Sequence, residues 1–177
     1  MPHPLGLITL LTDFGDRDSF VASMKGVILT INPHATIIDL SHHVPSHSVE
    51  DAAYLLRSSY RYFPEGTVHV AVVDPGVGSA RRPLIAKNER DFFLAPDNGL
   101  LTHILAESSE TEVREIENKT YRLISPGRTF DGRDLFAPAA SDCADYKRPR
   151  VGSRRTGGDH RRRPDGAPRR RAVRARG

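Results

Sequence analysis

The 177-residue chain contains one cysteine, two methionines and no tryptophan. A lone Cys143 cannot close an internal disulfide, so nothing calls for an oxidising compartment, and thiol catalysis is not indicated. No apolar run approaches the ~18–20 residues that span a bilayer. The opening "MPHPLGLITLL" has neither the basic start nor the length of a secretory leader. A cytoplasmic protein with no membrane association is the expectation. HExxH, a nucleophile elbow and the Walker spacing are also missing, which argues against zinc proteolysis, α/β-hydrolase chemistry and nucleoside-triphosphate binding.

The charge that is present is unevenly placed. Residues 1–140 carry 13 Lys and Arg against 18 Asp and Glu, whereas residues 141–177 carry 13 basic against 4 acidic residues. The overall +4 therefore describes neither part. The segment after Ala140 is rich in Arg, Gly and Pro and poor in large apolar side chains. Such a composition cannot bury enough apolar surface to offset the entropy of ordering it, so a folded domain over 1–140 and a disordered tail over 141–177 are expected. The change suggests a shifted reading frame in GC-rich coding DNA. An Arg-rich tail would also bind nucleic acid non-specifically through phosphate contacts.

Apolar runs in the first part alternate between two periods. "GLITLLTDFG" and "TVHVAVVDPGVGS" are apolar at successive positions, as in strands buried on both faces of a parallel sheet. "DSFVASMKGVILTINP" spaces Phe20, Met24, Val27, Ile28 and Ile31 as a helix does, with Asp18 or Ser19 as N-cap and Asn32-Pro33 as the stop. "ATIIDLS" reads as a strand, and "SVEDAAYLLRSSYRYFP" as a helix capped by Ser48. Two strands flank the Asn88–Asp91 turn, and a helix begins at "LLTHILAES". "TEVREI" and "YRLIS" alternate only weakly. The order strand, helix, strand, helix, strand predicts an α/β fold: three layers, with a mostly parallel sheet and helices on both faces.

In open parallel sheets ligands bind beyond the carboxyl ends of the strands. Those ends carry Asp13, Asp39, Asp74 and Asp97. A carboxylate offers two acceptor oxygens and can hold a ribose diol, although an aspartate there also serves to cap the following helix or turn. "SHHVPSHS" gathers His42, His43 and His47 without cysteine partners, so exposed loop histidines are favoured over a metal site.

Five motifs occur in order: "TDFG" (12–15), "INPHATIIDLSHHVPSHSVEDAAYLL" (31–56), "FPEGTVHVAVVDPGVGSARRPL" (63–84), "APDNGLLT" (95–102) and "TFDGRDLFAPAA" (129–140). Together they resemble the S-adenosyl-L-methionine (SAM) hydrolases (adenosine-forming), relatives of SAM-dependent chlorinases and fluorinases. The resemblance covers about residues 6–140. It implies an N-terminal α/β domain followed by a C-terminal β-barrel, whose sequence is absent after Ala140. It further implies a homotrimer holding SAM between one subunit's N-terminal domain and its neighbour's C-terminal domain, with water as co-substrate and no cofactor.

By that resemblance Asp13 holds the ribose hydroxyls, Phe130 lines the pocket near the ribose, and Ser19 joins the substrate-binding side. Asp74 and Arg81 match two members of an Asp-Arg-His set that positions the attacking water. The third position departs from the family pattern "TFHGRD": Asp131 stands in place of the histidine, and an ionised carboxylate accepts but does not donate. The halogenases carry Tyr where Asp74 stands and Ser at the Gly132 position, so water is favoured over halide as nucleophile. Besides hydrolysis, two readings stay open: a non-catalytic SAM- or nucleoside-binding remnant, and non-specific nucleic-acid binding through the tail.

Overall fold

The computed structural model describes residues 2–124 and 129–145. Six strands form one sheet: β1 (Leu7–Thr12), β2 (Thr36–Ser41), β3 (Val68–Val72), β4 (Pro83–Lys87), β5 (Phe92–Pro96) and β6 (Glu112–Glu115). Their spatial order is β2-β1-β3-β5-β4-β6. The first four in space run parallel, while β4 is antiparallel to both β5 and β6. Four helices accompany them: α1 (Phe20–Ile31), α2 (Val49–Ser59), α3 (Thr102–Glu107) and α4 (Ala137–Ala144). This is the expected mostly parallel α/β sheet, with an antiparallel excursion at one edge.

Alternation along the central strands sorts the core into two layers. Ile8, Leu10, Val68, Val70, Val72, Phe92 and Leu94 face α1 and α4, where Met24, Ile28, Ala137 and Ala140 meet them. Leu11, Ala71, Val73, Phe93 and Ala95 face α2 and α3, against Ala52, Leu56, Ile104 and Leu105. Met24 and Ile28 are fully buried, a contribution of about 1.5–3 kcal/mol for each side chain.

Most expected elements are found, with differences in detail. Ser48 is the N-cap of α2, but its hydroxyl donates to Asp51 Oδ2 (2.6 Å) instead of receiving a helix N–H. Ser19 precedes α1 without a side-chain cap bond. "YRLIS" forms no strand over its described residues; a 3₁₀ turn over Lys119–Tyr121 leads into it instead. Helix α4 runs on past Ala140, because Ser141 and Ala144 are buried and the Ser141 hydroxyl donates to the Ile28 carbonyl (3.1 Å). The folded element thus reaches further than composition indicates. From residue 146 onward the expected tail lies outside the described residues. Among the described residues no helix is long and apolar enough to cross a membrane.

The amino-terminal half of the sheet holds a buried polar group. His69 on β3 stacks on Phe93 (5.2 Å between centroids), and its Nδ1 lies 2.8 Å from Thr9 Oγ1. Its Nε2 is 3.9 Å from Asp91 Oδ2. Burial, aided by the Arg90 charge, pushes His69 down to about 3. The native state therefore takes up that proton only at far lower pH than the unfolded chain, and the resulting stability falls as pH drops from about 6.5 towards 3. Burial moves Asp91 the other way, up to about 6, against the pull of Arg90 and two backbone N–H groups, so the two titrations oppose each other. Comparing His69→Gln with the parent chain isolates the histidine. Between pH 7 and pH 4 the stability difference should shift by about 3 kcal/mol in the variant's favour. Urea unfolding at the two pH values measures it, and parallel pH dependences would refute the assignment.

Candidate functional site

The crossovers place the polar residues. From β1 the chain leaves through α1 towards β2 at one edge; from β3 it leaves towards β4 and β5 at the other. Neighbouring parallel strands whose connections depart in opposite directions open a crevice at their carboxyl ends. Here those strands are β1 and β3, paired with Thr12 opposite Val72. Asp13 follows the first and Asp74 the second.

Beyond β3, Asp74 Oδ1 accepts the Gly76 N–H (2.9 Å) and lies 3.2 Å from Arg81 Nε. The Asp74 side chain is 8% exposed and that of Arg81 28%. A Cβ at Gly76 would land on the Arg81 guanidinium, so a side chain there would have to move Arg81. The loop is closed at its far end by Arg82, whose Nε (3.1 Å) and Nη2 (2.5 Å) both donate to Asp97 Oδ2. Asn98 Nδ2 donates to the Val73 carbonyl (2.7 Å), one residue before Asp74. Fixed at both ends, the 74–82 loop presents a carboxylate and a guanidinium side by side.

Beyond β1, Asp13 Oδ2 accepts the His47 N–H (2.9 Å). The next residue, Phe14, packs edge-on against Phe20 (6.0 Å) and Phe130 (5.9 Å), which meet each other at 5.0 Å. This cluster draws together three segments distant in sequence: the loop after β1, the start of α1 beside Ser19, and the stretch before α4. Phe20 remains 44% exposed. Arg133 lies over the Phe130 ring at 4.8 Å while its Nε donates to the buried Asp134 (2.6 Å).

Residues Gly132–Phe136 form a π-helical turn. A Cβ at Gly132 would lie 3.1 Å from Met24 Sδ and 3.2 Å from the Phe14 ring. Any side chain there must press on the aromatic cluster.

The structure thus brings Asp74 and Arg81 together, and sets Phe130 against the neighbours of Asp13 and Ser19. Asp131 stands apart from that pairing. Its Oδ1 accepts from Arg122 Nη1 (2.7 Å), and among the described residues it makes no ion pair with Arg81. Besides Asp74 with Arg81, two of the four strand-end aspartates have ion-pair partners: Asp39 with Lys25 (2.6 Å) and Asp97 with Arg82. Sequence reading missed Arg82, Asn98, Arg122 and Arg133. Only the adjacency of Arg82 to Arg81 in "SARRPL" hinted at any of them.

A mostly parallel α/β sheet with its polar residues gathered at a switch point belongs to the ligand-binding class of open sheets. The comparisons narrow that class. Residues 8–151 match the family described as the SAM hydroxide adenosyltransferase N-terminal domain, and the chain belongs to that family. A relative named (R)-S-adenosyl-L-methionine hydrolase from Methanocaldococcus jannaschii is 38% identical over 143 residues, covering 78% of this chain and 53% of that protein. One of the same name from Thermus thermophilus is 40% identical over 144 residues (77% and 56%). A fluorinase from Actinoplanes sp. is more distant, at 29% identity over 170 residues (82% and 57%). A crystal structure of a Thermotoga maritima protein superposes with a TM-score of 0.76 at 42% identity, covering 80% of this chain and 55% of that one. The chain spans about half the length of the curated relatives it matches.

The Gly76 contact yields a test of the site alone. Gly76→Ala should displace Arg81 from Asp74 while costing no more than about 1 kcal/mol of stability, since the loop is largely exposed. Loss of a slowly exchanging Arg81 Nε–H signal, with urea unfolding little changed, is the expected result. An unaltered Arg81 signal would show that the loop absorbs the methyl group elsewhere.

Proposed function

We propose that the chain hydrolyses S-adenosyl-L-methionine to adenosine and L-methionine. The observation that carries this reading is the Asp74–Arg81 pair, seated at the β1–β3 switch point opposite Asp13 in a chain of this family. Asp13 binds the ribose hydroxyls through its free lone pairs, Phe130 and Ser19 border the nucleoside, and Arg81 with Asp74 holds the attacking water.

The chemistry asks little of the protein beyond alignment. A water oxygen attacks the 5′ carbon in line with the carbon–sulfur bond. That bond breaks with its electron pair passing to sulfur, which leaves as a neutral thioether and needs no general acid. The water proton passes to the Asp74 carboxylate. No cofactor is called for. In this reading the partners are SAM and water, with a homotrimer completing the substrate's surroundings.

One observation favours a second reading, a nucleoside-binding protein without turnover. Asp131 occupies the position of the family histidine and is engaged with Arg122. The two readings separate on incubating the full chain with SAM in ¹⁸O-labelled water. Hydrolysis places the label in the 5′-hydroxyl of adenosine, and Asp74→Asn should lower kcat by about 10²–10³-fold with KM little changed. Adenosine binding without turnover would favour the second reading. The absence of both adenosine formation and a SAM-dependent rise in Tm would exclude both readings.

A further inference from the structure

A polar chain that the reaction does not use runs across the carboxyl edge. Thr12, the last residue of β1, is fully buried, and its Oγ1 accepts the Phe14 N–H (3.2 Å). That hydroxyl lies 2.9 Å from His42 Nδ1. The other ring nitrogen, Nε2, is 3.0 Å from Asp39 Oδ1, angled off the line of a good hydrogen bond. Lys25 on α1 closes the chain on Asp39 Oδ2 at 2.6 Å. Burial pushes Asp39 up, but the Lys25 ammonium bonded to it and the His42 ring beside it outweigh that and hold it below the ordinary carboxylate range. A carboxylate can only accept, so the proton of the neutral ring sits on Nε2, and Nδ1 accepts from the Thr12 hydroxyl.

The segment around His42 grips the Asp13 loop at three further points. The His42 carbonyl accepts the Gly15 N–H (2.7 Å), the Val44 N–H reaches the Thr12 carbonyl (3.4 Å), and the His47 N–H meets Asp13 Oδ2. His47 makes its contact at a cost: with φ of 66° it is the only non-glycine residue in the left-handed region among those described. Local strain at a residue whose amide holds a site carboxylate is the arrangement expected where position matters more than stability.

We infer that His42 is a positioning residue for the Asp13 loop, acting through Thr12, and that it sets affinity for the nucleoside end of the substrate rather than the rate of cleavage. Asp13 and Phe14 directly follow Thr12, so the tilt of the Thr12 hydroxyl is passed to both. The inference rests on the ribose-binding role proposed for Asp13. It differs from a general stability role because Asp74, beyond the neighbouring strand, is held by its own loop and should not respond.

The two ring nitrogens can be separated in the full chain. His42→Asn keeps a polar group near the Nδ1 position for Thr12, whereas His42→Gln keeps one near Nε2 for Asp39. Adenosine binding by calorimetry and SAM turnover are read for both. We expect His42→Gln to weaken adenosine binding and raise KM about tenfold, the loss of one part-buried hydrogen bond. Its kcat should be retained, and His42→Asn should restore most of the affinity. Equal affinities in the two variants, or a fall in kcat without a change in KM, would overturn the inference. If the parent chain neither binds nor cleaves, the proposed function fails on its own. The positioning claim is then decided by amide exchange at Phe14, Gly15 and His47: faster in His42→Gln than in His42→Asn supports it, and equal rates refute it.

Discussion

The parallel pairing of β1 with β3 is the constraint on which the rest depends. It sets Thr12 beside Val72, and so brings the loops carrying Asp13 and Asp74 to one edge. Because the crossovers leave these strands in opposite directions, neither loop covers the other and a crevice remains between them. Neither aspartate could reach the other's neighbourhood by local chain geometry, since sixty-one positions separate them. The sheet's hydrogen bonds do that, secured by apolar layers on both faces.

Around that crevice the carboxylates divide by what holds them. Asp39 and Asp97 serve as braces, Asp39 tied to Lys25 on α1 and Asp97 to Arg82 at the end of the Asp74 loop. Asp13 is held by one backbone N–H, which leaves lone pairs for a ligand, and Asp74 is shared between a backbone N–H and Arg81. The opposite half of the sheet follows another logic. His69 lies neutral among aromatic rings, where a charge would cost far more than at the wet edge. One fold thus buries a neutral imidazole at one end and gathers carboxylates around a crevice at the other.

How much of this the sequence disclosed depended on the range of the interaction. Strands β1 and β3 were legible from continuous apolar runs, α1 and α2 from helical spacing, and the β4–β5 hairpin from its turn. Asp74 was legible from its place at a strand end, and Arg81, six intervening residues further on, through the family resemblance. Arg122 against Asp131, Asn98 against Val73 and Arg82 against Asp97 were not, since each pairing is made across the fold and leaves no periodic trace. The boundary expected at residue 140 falls inside α4 for the same reason. A shift towards small and charged residues marks composition, whereas burial of Ser141 and Ala144 against α1 is a tertiary event.

By itself the sequence determined the fold class, the placement of acids at strand ends and the family, because these follow from local period and from ordered motifs. Only the tertiary structure decided which acids are braces and which remain open to a ligand, that Asp131 faces Arg122, and that a buried threonine and a histidine thirty residues away form one unit with the Asp13 loop. The physical reason is that a side chain's role at a sheet edge is set by the partner that reaches it. That partner is chosen by strand order and packing, not by the neighbours in the chain.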